Sequence, residues 1–193
     1  MNKLMIYLLA LPLFVFAACG DDDAPVVPAG NVDDDEYAVW SATLDSMVIW
    51  EKDDFVVLRS GTDGYVLDDS AMASYLRGQL KVPDEALQQY AQRNKQGALI
   101  ERKLDISVDY ALLTEADIES ILSLGGYDGL YRRYAHCNGV TTLSRVGFNA
   151  TRSTAVVYIS MTPGYLAGSG WAVLLRKISG RWEVISSTII WVS

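Results

Sequence analysis

His136 is the only histidine in the chain, and it stands beside Cys137, one of two cysteines. A Cys–His nucleophile pair needs thiol and imidazole to converge, whereas adjacent side chains diverge along both helices and strands. One His and one Cys also fall short of the three or four ligands of a zinc site. The pair therefore reads as a buried thiol next to a solvent-facing imidazole. Asp53-Asp54 in "EKDDF" and Asp68-Asp69 in "VLDDS" offer paired carboxylates for acid–base work. Neighbouring aspartates of this kind belong more often to turns and helix caps, and their spacing does not reproduce a calcium loop. Gly164, Gly168 and Gly170 are spaced like a phosphate loop, but phosphate loops open a helix and this one opens a β-rich run. Hairpin geometry or close backbone approach is the simpler use for them. Asn149-Ala150-Thr151 matches a glycosylation sequon and is read as a turn. These residues point to no metal, no cofactor and no catalytic set.

The other cysteine has a clearer context. Residues 1–18 carry Lys3 near the start, an apolar run from Leu4 to Phe16, and the small pair Ala17-Ala18. That is the plan of an export signal, and the run is shorter than the about 20 apolar residues a membrane-spanning helix needs. Small residues followed by Cys19 resemble the lipobox of bacterial lipoproteins, with Phe16 where that family most often has Leu. The resemblance implies a diacylglycerol on the Cys19 sulfur, cleavage before it, and acylation of the new amine. Two or three acyl chains make a lasting membrane anchor where one does not. Asp21–Asp23 directly behind Cys19 are similar to the surface-export signal of Bacteroidota lipoproteins; a solvated charge run in a tether is the alternative. The protein is thus expected to be exported and lipid-anchored to the outer membrane, with exposure at the cell surface as one of the two readings.

Charge separates a tether from a body. From Gly20 to Glu36 there are seven acids and no bases, with Pro25, Pro28 and Gly30 interspersed, which reads as an extended linker over residues 19–36. From Tyr37 to Ser193, 17 acids face 15 bases, so the net charge of -8 belongs mainly to the tether. The body has no basic excess to attract phosphate backbones, which argues against nucleic acid as a partner. Residues 37–193 suit a single globular domain, and with Cys19 lipidated, Cys137 has no partner for an internal disulfide.

The elements that must position any site follow from periodicity. Tyr37, Trp40, Leu44, Met47 and Val48 recur at spacings of three and four, predicting a helix capped by one of Asp33 to Asp35. Phe55–Leu58 reads as a short strand. Ser70–Leu80 and Pro83–Gln96 read as helices, and Leu104–Val108 as another short strand. Thr114 to Asp117 form a capping box that opens a helix through Leu122, which Gly125 and Gly126 should stop. Four β-rich runs follow, near Val140–Phe148, Thr154–Met161, Gly170–Lys177 and Arg181–Val192, the last two joined by Ser179-Gly180. The expectation is an α+β fold with N-terminal helices packed on a C-terminal antiparallel four-stranded meander. Alternation along the runs puts Val156, Tyr158 and Trp171 on one side and Ala155, Val157, Ile159 and Leu174 on the other. Both sides are apolar, so helices should cover one face and a further layer or partner part of the other.

Leu143–Ser160 and Gly164–Ser193 together resemble the C-terminal half of a family of uncharacterised bacterial exported proteins. The landmarks here are Ser144 to Asn149, Gly164, Gly168, Gly170, Trp182 and Trp191. The resemblance implies a fold and an exported life, and no reaction. Its glycine loop often carries cysteines; here Ala167 stands in a loop without Cys, so a metal or redox role there lacks its ligands. The preferred function is a non-catalytic module binding a protein, glycan or envelope component through an aromatic-bearing face that includes Trp171, Trp182 and Trp191. The alternative is an envelope hydrolase or transferase built on scattered acids or Cys137.

Overall fold

The computed structural model describes residues 32–52, 54–64 and 70–193. Cys19, the aspartates at 21–23, and Asp53, Asp68 and Asp69 lie outside the described residues.

In chain order the elements are α1 (Asp34–Met47), β1 (Phe55–Arg59), α2 (Ser70–Gln79), α3 (Asp84–Arg93), β2 (Tyr110–Leu113), α4 (Glu115–Arg133), β3 (Cys137–Leu143), β4 (Gly147–Phe148), β5 (Thr154–Gly164), β6 (Ala167–Ile178) and β7 (Arg181–Val192). Asp33 caps α1, its carboxylate accepting from the Glu36 amide at 3.0 Å. Thr114 and Asp117 form the reciprocal capping box of α4. Gly126 does not stop that helix. It takes φ +59°, ψ -158°, a conformation open only to glycine, and the chain re-enters helix beyond it, leaving a kink.

The strands form one sheet in the order β2-β1-β3-β5-β6-β7, with β4 paired to β5. The expected antiparallel meander is present as β3-β5-β6-β7, but it is only part of a mixed seven-stranded sheet. β1 lies parallel to both β2 and β3. Parallel neighbours require long crossovers, which α2–α3 and α4 supply. The strand expected at Leu104–Val108 is not formed; the strand is β2, which pairs with β1 two residues further on. The single run expected at Val140–Phe148 is two strands, interrupted at Ser144–Val146 where Arg145 turns into the interior.

Both faces of the sheet are covered. Tyr37, Trp40, Leu44 and Val48 of α1 pack with Ile100, Leu104 and the odd-numbered core residues of β5, Ala155, Val157 and Ile159. Leu76 and Leu80 at the end of α2 and Leu87 and Tyr90 of α3 pack on the other face, over Val156, Tyr158, Ala172 and Leu174. α4 covers Val57 and Val140. Full burial of side chains the size of Leu44 or Leu58 contributes about 2 to 3 kcal/mol each before the entropy of ordering is counted.

Two residues change sides relative to expectation. Trp171 pairs with Ile159, and Leu174 with Val156, so Trp171 shares the α1 face and Leu174 the α2–α3 face. The register is set by the tight tip at Gly164↔Ala167 and the bulge beside it, and a one-residue slip exchanges every side chain between faces. The acids at the start of α1 also belong to the body rather than the tether: Glu36 has no solvent exposure, so the folded unit begins before Asp33 and not at Tyr37. No helix among the described residues is long and apolar enough to cross a membrane.

Candidate functional site

The densest polar cluster joins the first turn of α1 to the sheet. Glu36 Oε1 accepts from Arg145 Nε at 2.8 Å and from the Val146 amide at 3.1 Å; its Oε2 accepts from Arg145 Nη2 at 2.8 Å and Arg93 Nη1 at 2.9 Å. This is a fork-on-fork pair with every carboxylate lone pair in use. The bond from Glu36 is the main cause that raises the Arg145 pKa above its ordinary value. Asp33 accepts from Arg93 and Arg152, and Asp35 from Arg152, Lys177 Nζ and Trp182 Nε1. Burial opposes ionisation of Asp35, but those donors outweigh it and hold the carboxyl down to about 2. Asp33 is lowered in the same way, burial opposing and the Glu36 amide and two arginines prevailing. Carboxylates held this firmly as anions do not shuttle protons near neutrality. The cluster is a clamp.

The motif Ser144 to Asn149 belongs to that clamp. Ser144 Oγ accepts from the Tyr158 amide and donates to the Arg145 carbonyl, and the Ser144 carbonyl accepts from Trp40 Nε1. The guanidinium groups of Arg152 and Arg93 lie over the Phe148 ring, at 4.0 and 5.4 Å from its centre, and the Trp182 ring is 5.5 Å away. Asn149 Oδ1 accepts from the amides of Ser153 and Thr154, closing the turn into β5. Bordering the clamp, with Asp35, Lys177 and Trp182 in its lining, an open groove of about 900 Å³ runs between α1 and the β6–β7 hairpin. Asp34, Asp45, Asp105 and Glu183 line it together with Lys103, Arg181 and small α1 residues such as Ala38 and Ala42.

His136 and Cys137 do not converge. His136 is exposed at a left-handed φ of +63°, while Cys137 is buried at the start of β3. Burial pushes the Cys137 thiol up, away from the thiolate a nucleophile requires. Asp54 serves the turn before β1, accepting from the Trp50 and Glu51 amides. Among the described residues no group of three or more His, Cys, Asp or Glu is placed to hold a metal. Gly170 serves close approach: a Cβ there would lie 2.3 Å from Trp191 Nε1 and 2.5 Å from the Tyr158 hydroxyl. Trp191 rests over this backbone and donates to Tyr158 at 2.6 Å.

The three C-terminal tryptophans make no common patch. Trp182 is buried beside the clamp, and Trp171 and Trp191 are half-buried on opposite faces. The exposed aromatic surface lies elsewhere, at the end of the sheet where β5 finishes. Tyr127 meets Tyr165 edge-on at 5.1 Å and Tyr131 at 6.4 Å. Tyr131 donates to the Pro163 carbonyl at 2.6 Å, and Tyr165 reaches the Leu122 carbonyl across the α4 kink. Burial raises the Tyr127 and Tyr131 pKa values, keeping both as neutral phenols able to donate. Tyr165 and Leu166 at the hairpin tip are exposed to 72% and 90%, and Leu124, two residues before the kink at Gly126, to 87%. Trp50, 66% exposed, projects from the loop after α1 at the same end, where Asn138 Nδ2 donates to the Val48 carbonyl.

Asp33 and Asp35 at the start of α1 lie at the opposite end, on Arg152 and Lys177 where β5 begins and β6 ends. The eleven residues of β5 separate the two ends by about 35 Å. Sequence reading had one available signal for this aromatic pole: Tyr165-Leu166 is an apolar pair at a hairpin tip, where polar turn residues are the norm. No family model matches the chain, and neither a curated protein nor a solved structure is similar to it.

Proposed function

We propose that this protein is an exported lipoprotein, held at the outer membrane by acyl chains on Cys19, whose domain is a non-catalytic module that binds an envelope protein through the aromatic pole. The observation that carries this reading is the exposed pair Tyr165 and Leu166 at the β5–β6 tip, with Tyr165 edge-on to Tyr127 beside the α4 kink, on the helix that also carries exposed Leu124. Contiguous exposed apolar surface is rare on monomeric domains and marks contact sites. Tyrosine, leucine and a rim of Arg132 and Arg133 beside Leu124 suit a protein partner, since a desolvated aromatic centre with a polar border is how such interfaces gain affinity. Attachment of the tether at the far end supports presentation of this pole away from the membrane. The groove beside α1 is a weaker candidate for the main contact because its lining mixes both signs of charge.

The test is capture from envelope extracts by an immobilised fragment of residues 32–193, compared with its Leu124→Asp/Leu166→Asp variant. Fragments starting at Tyr37 would lack Glu36 and lose the clamp. Capture of one discrete protein by the wild type and loss of it in a variant of unchanged circular dichroism is expected. Equal capture by both would overturn the assignment of the pole. Cys19→Ala should separately move the full-length chain out of the membrane fraction.

A further inference from the structure

The two edges of the sheet are built differently. β2 is four residues long, as short protected edges are. β7 is twelve residues long, and among the described residues it pairs only with β6, leaving one row of backbone donors and acceptors open. From Val184 to Ser193 this edge carries no charge, no proline and no lysine, the usual devices against strand pairing. It does carry two bulges: Ile185 is the extra residue between the Val184↔Leu175 and Ser186↔Leu174 pairs, and Ile190 the extra residue between Ile189↔Trp171 and Trp191↔Gly170. Bulges disrupt pairing where they occur. They leave Ser186–Ile189 regular between them and bracket it on both sides.

That stretch is nearly self-complementary. Read outward from Ser187, the chain gives Ser186 and Thr188, then Ile185 and Ile189, then Val184 and Ile190. An antiparallel pairing of two copies about a two-fold axis at Ser187 would set Ser186 opposite the other copy's Thr188 within the regular stretch and bring each Ile185, at its bulge, beside the other copy's Ile189. These isoleucines are 43% and 55% exposed, and no described element covers them fully. Cross-strand β-branched pairs of this kind are a main source of sheet stability, and a two-fold contact requires the same patch on both partners. A foreign strand would have no reason to match this internal symmetry.

We infer that β7 is a self-association edge, through which two copies of this chain pair antiparallel about Ser187 into one continuous sheet. The inference is independent of the aromatic pole, which lies on α4 and the β5–β6 tip.

Cysteine cross-linking in the full-length, membrane-bound protein tests it. Across the axis the two Ser187 Cα atoms would lie about 4.5 to 5.5 Å apart, within disulfide reach. Ser187→Cys should give a disulfide-linked dimer on mild oxidation. Ser186→Cys, offset along the strand, should give at least fivefold less, and adding Ile189→Lys to Ser187→Cys should remove most of the product. Absence of a dimer at position 187, equal yields at 186 and 187, or a disulfide to a protein of different mass would each overturn the inference. The wild-type chain, with Cys137 buried, is the background control.

Discussion

Removing the Glu36 carboxylate should be among the most damaging single changes available in this domain. Glu36 has no solvent exposure and Arg145 only 7%, so the pair was fully desolvated on folding. Its four short contacts repay that desolvation only while both partners are present. Glu36→Gln keeps the volume and part of the hydrogen bonding but leaves the Arg145 charge buried against a neutral amide. The expected loss is about 3 to 5 kcal/mol, a third or more of the stability of an ordinary domain. It corresponds to a drop in Tm of roughly 10 °C. Urea unfolding of residues 32–193, followed by tryptophan fluorescence, measures it directly. A Glu36→Leu/Arg145→Met double variant should recover part of the loss, because both buried charges are gone while the Val146 amide and Arg93 still lack the Glu36 acceptor. Glu36→Gln costing less than about 1 kcal/mol would refute the claim that this pair clamps α1 to the sheet.

Stability should fall with acid through the Asp35 window. Its folded pKa of about 2 lies below the ordinary carboxylate value, so its contribution is complete above about pH 4 and lost as pH falls toward 2. Solvent screening at a side chain 25% exposed reduces that contribution to about 1 kcal/mol, and Asp35→Asn should flatten the acid limb of a urea–pH series by that amount. Gly170→Ala should destabilise by about 1 to 3 kcal/mol by overpacking, and should shift the fluorescence of Trp191 as its ring is displaced from Tyr158. Cys137 should react with maleimide many times more slowly in the native domain than in urea, because its thiol is buried and its pKa raised; rapid native labelling would contradict its placement.

Locally encoded features were legible in the sequence. The Asp33 cap, the Thr114–Asp117 capping box and the Ser179-Gly180 hairpin, both residues at positive φ, are set by side chains within a few positions of the backbone they serve. The turn roles of Asp54 and Asn149 are of the same kind. What was hidden depends on pairing across distance. β1 and β2 are five and four residues long; β1 gains its place by lying between β2 and β3, and β2 by lying at the edge beside β1. The sides taken by Trp171 and Leu174 follow from the bulge near Gly164. Glu36 looked like one more acid in a charged run because its partner Arg145 is 109 positions away. The aromatic pole is assembled the same way, from tyrosines on α4 and at a hairpin tip that no spacing rule connects, while the tryptophans whose clustering in sequence suggested a patch are distributed over both faces by strand alternation.

What touches the aromatic pole in the cell decides whether it is the binding face. A photoreactive amino acid placed at Leu166 of the full-length chain, with Arg77 on α2 as an exposed control, reports it. A single discrete adduct to another envelope protein at position 166, and none at 77, is the expected result. Irradiation that yields no adduct at 166, or the same products at both positions, would contradict the assignment of this pole as the binding face.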